Sequence, residues 1–241
     1  MLRYTLFRIV GAIPTLLLVI ALAFMMVRAA PGGPFDAEYI PSTEVEKNLR
    51  DAYGLDDPLP QQFLTYLSGL LRGDLGPSIR QTGYSVAELI GEALPYSFLL
   101  GATAMLLALL LGVGAGTVAA LRQGSLLDRT ITGLSLTGIS IPVFVVGPVL
   151  VLLFAVKLQW LPAGWGSARG AATWVLPVIT LALPQLAYVA RLMRASMIDV
   201  LSSDFVRTAR AQGLGTATIV RVHALKPAML PVISYLGPAV A

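Results

Sequence analysis

Four stretches of this chain, residues 9–27, 99–121, 131–156 and 173–190, contain no Asp, Glu, Lys, Arg or His. They are 19, 23, 26 and 18 residues long. About 20 residues of α-helix cross the hydrocarbon core of a bilayer, so each stretch is long enough to span it. A fifth apolar stretch begins near Pro227 and is still running at Ala241. Only 12% of the 241 residues are charged and 56% are apolar. Soluble domains carry about 25% charged residues, so lipid is the solvent that suits this surface.

The charges predict an orientation. With the N-terminus in the cytoplasm and the spans alternating, the inner segments hold ten basic residues and three acids, Asp128, Asp199 and Asp204. The outer segments hold seven basic residues and ten acids. Short inner loops rich in Arg are what the positive-inside rule expects. The first thirty residues also admit a signal-peptide reading, with cleavage near Val27-Arg28-Ala29. Their 19-residue apolar run is longer than the usual h-region of about 7–15 residues, which favours a retained span.

This reading divides the chain into the N-terminus and first span (1–27), an extracytoplasmic loop (28–98) and a transmembrane region (99–241) that includes an inner loop at 195–226. In the outer loop, Thr43 with Glu46 and Ser85 with Glu88 are spaced as capping boxes, with Gly54 a helix stop. Phe63, Leu64, Leu67, Leu70 and Leu71 fall on one helical face that ends at Gly73. These predict short amphipathic helices lying on the membrane surface or on the bundle.

Within the spans, Pro14, Pro142, Pro148, Pro177 and Pro184 each remove a backbone donor and can bend a helix. Gly112 and Gly116 form a small-xxx-small face for close helix approach. The Gly-rich string 112–116 is no nucleotide loop, because it lies mid-span with no strand before it.

None of the four complete spans holds an ionisable residue, so the proton relays and ion sites of coupled carriers are missing from them. A P-loop, a nucleophile elbow and a His-Glu-x-x-His pair are also absent, and the sole His, His223, sits in an inner segment. With no cysteine there is no thiolate chemistry. The chain offers a route through the membrane but no energy source of its own.

The inner segment 203–214 is the most informative. Ser203 is placed to cap a helix, with Asp204 at its positive end and Gly213 as a left-handed stop. Phe205, Val206 and Ala209 share one side, while Arg207 and Arg210 lie elsewhere on the circumference. Thr216 is placed to cap a second helix through Ile219, Val220 and Val222, stopping near Pro227. Two readings are open: a rigid knob for a partner's groove, or a basic loop held at lipid headgroups.

From Phe205 to Leu214 the sequence resembles the EAA-type cytoplasmic loop of permease subunits of ABC importers for dipeptides, oligopeptides and nickel. The matched residues are Phe205, Val206, Arg207, Thr208, Ala209, Arg210, Ala211, Gly213 and Leu214, followed by His223 to Pro231. The Glu-Ala-Ala of the wider family is replaced by Arg207-Thr208-Ala209. Further similarities run from Leu2-Arg3-Tyr4, through Tyr53 to Leu59, Gly73 to Gly76, Asp128-Arg129 and Ser140 to Phe144, to Trp160-Leu161-Pro162.

The resemblance implies an all-α polytopic helix bundle of the importer permease type. Six spans are expected in such proteins, and this sequence supplies four complete spans and part of a fifth, as expected of a C-terminally truncated fragment. It implies a bacterial inner-membrane location, a second homologous permease subunit, two ABC ATPase subunits and an extracytoplasmic solute-binding protein. No cofactor would be bound directly; ATP and Mg would be used by the ATPases. The helix from Asp204 to Gly213 would couple to them, and Pro142, Pro148, Pro177, Pro184, Gly112 and Gly116 would serve bending and packing. A polytopic membrane enzyme and a non-transporting scaffold subunit are the alternative readings.

Overall fold

A computed structural model describes residues 2–29, 57–78, 81, 83–164 and 170–240. The helices are α1 (Leu2–Ala29), α2 (Leu59–Leu71), α3 (Val86–Leu121), α4 (Leu126–Ser140) and α5 (Val143–Lys157). They continue as α6 (Ala172–Leu201), α7 (Asp204–Ala211), α8 (Thr216–Ala228) and α9 (Leu230–Val240). Among the described residues there is no strand, only one isolated bridge between Pro77 and Ser85. Among the described residues three helices, α1, α3 and α6, are long and apolar enough to cross a membrane, and up to five spans result if each of two bent pairs counts as one.

The chain forms two compact units, residues 1–94 and 95–241. In the first, Phe24 of α1 meets Phe63 edge-on at 5.4 Å and stacks on Tyr66 at 6.0 Å, both from α2. Helix α2 ends in a Schellman motif: Asp74 N–H reaches Gly69 O at 2.9 Å and Gly73 N–H reaches Leu70 O at 3.1 Å. That geometry needs φ +78° at residue 73, which glycine adopts freely. The Ser85–Glu88 capping box forms reciprocally, at 3.1 and 2.8 Å. The Thr43–Glu46 box and Gly54 lie outside the described residues.

The second unit is built around α6. Ala104, Ala108, Gly112, Gly116 and Ala120 of α3 recur every four residues and are all buried. This strip of small residues lets the α6 backbone approach closely. A Cβ on Gly112 would stand 2.9 Å from Val189 Cβ, and one on Gly116 would stand 2.5 Å from Ala190 O. No side chain fits at those distances, so the glycines set the separation of the two helices. Opposite the strip, Val189, Met193 and Met197 of α6 are fully buried with Ala224, Ala228 and Val232 of α8 and α9. In lipid, where apolar burial gives little net drive, van der Waals contact of this kind holds helices together.

The charge-free run 131–156, read from the sequence as long enough for one span, is not a straight rod. It is split between α4 and α5, which meet at 103°. The cause is Pro142: its ring pushes the preceding residue out of the helical region, and Ile141 is extended at φ −86°, ψ 121°. Pro142 itself is extended at ψ 141° and becomes the first cap of α5. Helix α4 also starts before the charge-free run, which brings Asp128 and Arg129 into its first turn.

The second helix of the 203–227 segment stops near Pro227 as expected, at Ala228, and α9 follows after a 43° bend. Residues Ile219–Ala224 form a π-helical turn, with Leu225 and Lys226 between it and Pro227. The wider turn accommodates a ring that would clash with the carbonyl four residues back in a regular α-helix. The bend falls at Met229, two residues before Pro231, whose missing N–H permits the break.

Candidate coupling surface

Helix α7 is short and strongly two-faced. Val206 and Ala209 are buried against Ile219 of α8, with Val200, Leu201 and Leu214 packed around them. Asp204, Phe205, Arg207, Thr208 and Arg210 are exposed. Phe205 was expected on the packed side and is instead 50% exposed. At 3.6 residues per turn it lies about 100° around from Val206, off the strip that Val206 shares with Ala209. Phe205 and Arg210 therefore border that strip on its two sides, which makes an aromatic ring and a guanidinium available to a binding surface.

Both ends of α7 are fixed. At its C-terminus, Gly213 has φ +81°, its N–H reaches Arg210 O at 2.9 Å, and Leu214 N–H reaches Ala209 O at 3.2 Å. This is a Schellman motif, and Leu214 closes it with the accompanying apolar contact. At the N-terminus the expected cap is not made. Ser203 occupies the cap position, but its hydroxyl donates backwards to Val200 O at 2.6 Å. Ser202 does the same to Asp199 O at 2.7 Å. Serine hydroxyls compete for nearby carbonyls in this way, and here the last turn of α6 wins. Likewise Gly215, not Thr216, holds the cap position of α8. Arg207 Nη1 pairs with Asp204 at 3.3 Å across one turn, a solvated contact of small weight.

The residues expected to bend or pack helices are distributed along the spans. Pro177 and Pro184 lie inside α6, Pro148 inside α5, and Pro142 at the α4–α5 break. Gly112 and Gly116 stand at the α3–α6 crossing.

One polar feature has no counterpart in the sequence reading. Arg194 of α6 grips Asp128 of α4 with two parallel bonds, Nε to Oδ1 at 2.5 Å and Nη2 to Oδ2 at 2.8 Å. Asp128 is only 3% exposed. Its carboxylate also accepts from Gly124 N–H at 2.9 Å, and its own N–H donates to Ser125 Oγ at 3.3 Å. A fork of this kind fixes both groups in position and orientation. The available signal was Ser125 three residues before Asp128, the capping spacing that settles the carboxylate at the start of α4. Sequence spacing alone carries no mark of its partner 66 residues away.

Residues 112–241 match the family model described as binding-protein-dependent transport system inner membrane component. Residues 1–98 match the N-terminal model of the same kind of protein. The oligopeptide transport system permease protein OppB of Escherichia coli is 48% identical over 239 residues, covering 99% of this chain and 78% of the relative. OppB of Haemophilus influenzae is 46% identical with the same coverage. The dipeptide transport system permease protein DppB of Bacillus subtilis is 40% identical, covering all of this chain and 78% of its own length.

Proposed function

This chain belongs to the family of binding-protein-dependent transport system inner membrane components, and from that premise we propose that it forms half of a peptide path through the membrane, driven through α7. The relatives named for oligopeptide and dipeptide transport support peptides as the cargo. A second homologous permease subunit encloses the other half, and an external binding protein delivers the ligand. Two ATPase subunits sit on the cytoplasmic side, bind ATP and Mg, and each receives one coupling helix. The N-terminus is cytoplasmic, as the distribution of arginines favours.

The observation that carries this reading is α7 itself. It is a helix of 8 residues held at both ends, buried on Val206 and Ala209, with Phe205, Arg207 and Arg210 left outward. Closing of the ATPases on ATP draws the two coupling helices together. Because each is rigidly joined to its span, the cavity between the subunits turns from one side to the other.

Co-purification tests the reading. The protein expressed with its sister permease, ATPases and binding protein retains an ATPase, and Phe205→Asp together with Arg207→Glu removes it while the permease pair survives. Undiminished recovery of the ATPase by that variant, or no ATPase with the unaltered protein, refutes the coupling role. The absence of native cysteine makes the orientation testable too. Arg207→Cys should resist an impermeant maleimide in intact cells and react in inverted vesicles.

A further inference from the structure

Helix α6 carries one polar side at the end of its charge-free run. Gln185, Tyr188 and Arg191 recur every three residues and so lie on neighbouring positions of the helix surface. Tyr188 stacks on Tyr235 of α9 with ring centroids 4.3 Å apart, and the Tyr235 hydroxyl donates to Gln185 Oε1. Beside them opens a cavity of about 330 Å³ lined by Thr132, Tyr188, Arg191, Leu192, Arg194 and Ala195.

The two arginines of the cavity differ. The charge of Arg194 is balanced by Asp128. Arg191 is exposed and has no carboxylate partner among the described residues. The cavity therefore holds one uncompensated positive charge, one residue beyond a span free of charge from 173 to 190. Within that span Gln185 and the half-exposed Tyr188 are costly against hydrocarbon, and polar groups in spanning segments characteristically face a water-filled path, at whose inner end Arg191 stands. A guanidinium beside a phenol suits a carboxylate. The volume lies at the low end of small-ligand sites, about 300–1,000 Å³, which is room for one terminal residue rather than a whole oligopeptide.

We propose that Arg191, with Tyr188 beside it, forms a subsite in the translocation path that holds the terminal carboxylate of the peptide in transit. This rests on the peptide-path reading above. Asp128 is a positioning residue here: by occupying Arg194, it leaves Arg191 as the free cation of the cavity.

The test uses the complete importer, with sister permease, ATPases and binding protein, in proteoliposomes. It compares uptake of one tripeptide as the free acid and as the C-terminal amide. Arg191→Gln lowers the acid-to-amide uptake ratio about tenfold, as loss of a charged hydrogen bond predicts, and Arg191→Lys restores most of it. Any preference of the binding protein cancels between variants. Tyr188→Phe keeps the ring stack and lowers the same ratio by about threefold, which serves if Arg191→Gln assembles poorly. An unchanged ratio in these variants overturns the subsite. So does a uniform loss of both peptides that tracks the fraction of anionic lipid, which would assign the cavity to a phosphate headgroup. Failure of the unaltered importer to carry either peptide refutes the peptide-path reading instead.

Discussion

Helices α1 and α6 are both long enough to cross a bilayer, at 28 and 30 residues, yet they are built for different neighbours. The sides of α1 are mostly Leu, Ile, Val, Ala, Met and Phe, and none of its described side chains is buried. Helix α6 is less uniformly apolar and buries Leu176, Ala182, Ala187, Val189, Ala190, Met193 and Met197. In water the greasier helix would be the buried one. In lipid the order reverses, because large apolar side chains are as well solvated by acyl chains as by protein. What recruits neighbours to α6 is smallness on the facing helix and a few polar pairs.

Substitutions can break that contrast. The largest expected effect is at Gly116. Leucine there would drive its Cβ to 2.5 Å from Ala190 O and 2.8 Å from Met193 Cβ. Overpacking typically costs about 1–3 kcal/mol, and here it falls on unyielding backbone, so fluorescence-detected size exclusion should show loss of monodisperse protein. The matching change Gly11→Leu in α1 meets nothing within 4 Å and should leave the elution profile unaltered. Equal damage by both would erase the distinction between the helices.

Arg194→Met comes next, since it strands the nearly buried Asp128 carboxylate. The unfolding midpoint in detergent should fall by several degrees, and adding Asp128→Leu should recover part of the loss, because an unpaired charge costs more than no pair at all. A double variant worse than the single one would mean that Asp128 stabilises the start of α4 through Gly124 even without Arg194. Gly213→Ala is smaller, about 1 kcal/mol, from placing a Cβ at φ +81°. Its signature should be local: faster proteolysis near residue 213 with an unchanged global midpoint. The mildest is Ser85→Ala at the start of α3, which removes one half of a capping box for about 1 kcal/mol or less, read as faster amide exchange at Glu88.

Much of the fold was legible because membrane burial writes itself into composition. The charge-free runs located α1, α3 and α6, and Gly73 and Gly213 ended their helices because a left-handed cap all but demands glycine. The all-α polytopic class follows from the same runs. Less visible was the geometry that depends on which of two bonds a group prefers. Ser203 stands in the cap position, yet its hydroxyl turns to α6. Pro142 was legible as a place to bend, but a 103° break needs both Ile141 and Pro142 extended, and only the fold selects that outcome. The π-turn at 219–224 leaves no periodic trace in so short a segment. At the candidate site, Val206 and Ala209 declared their face through spacing, while Phe205 looked equally apolar and went the other way. The Asp128–Arg194 fork joins residues far apart in the chain, and no local pattern encodes it.

The junction between α6 and α7 has a mechanical consequence. Only Ser202 and Ser203 separate the two helices, and both hydroxyls are fastened to the final turn of α6. From Leu201 back to Gln185 the helix contains neither proline nor glycine. That stretch, about 24 Å long at 1.5 Å per residue, is a stiff push-rod with no backlash at its lower end. A displacement applied at α7 arrives undiminished beneath the Gln185–Tyr235 contact, and the first joint able to flex is Pro184, one residue beyond it.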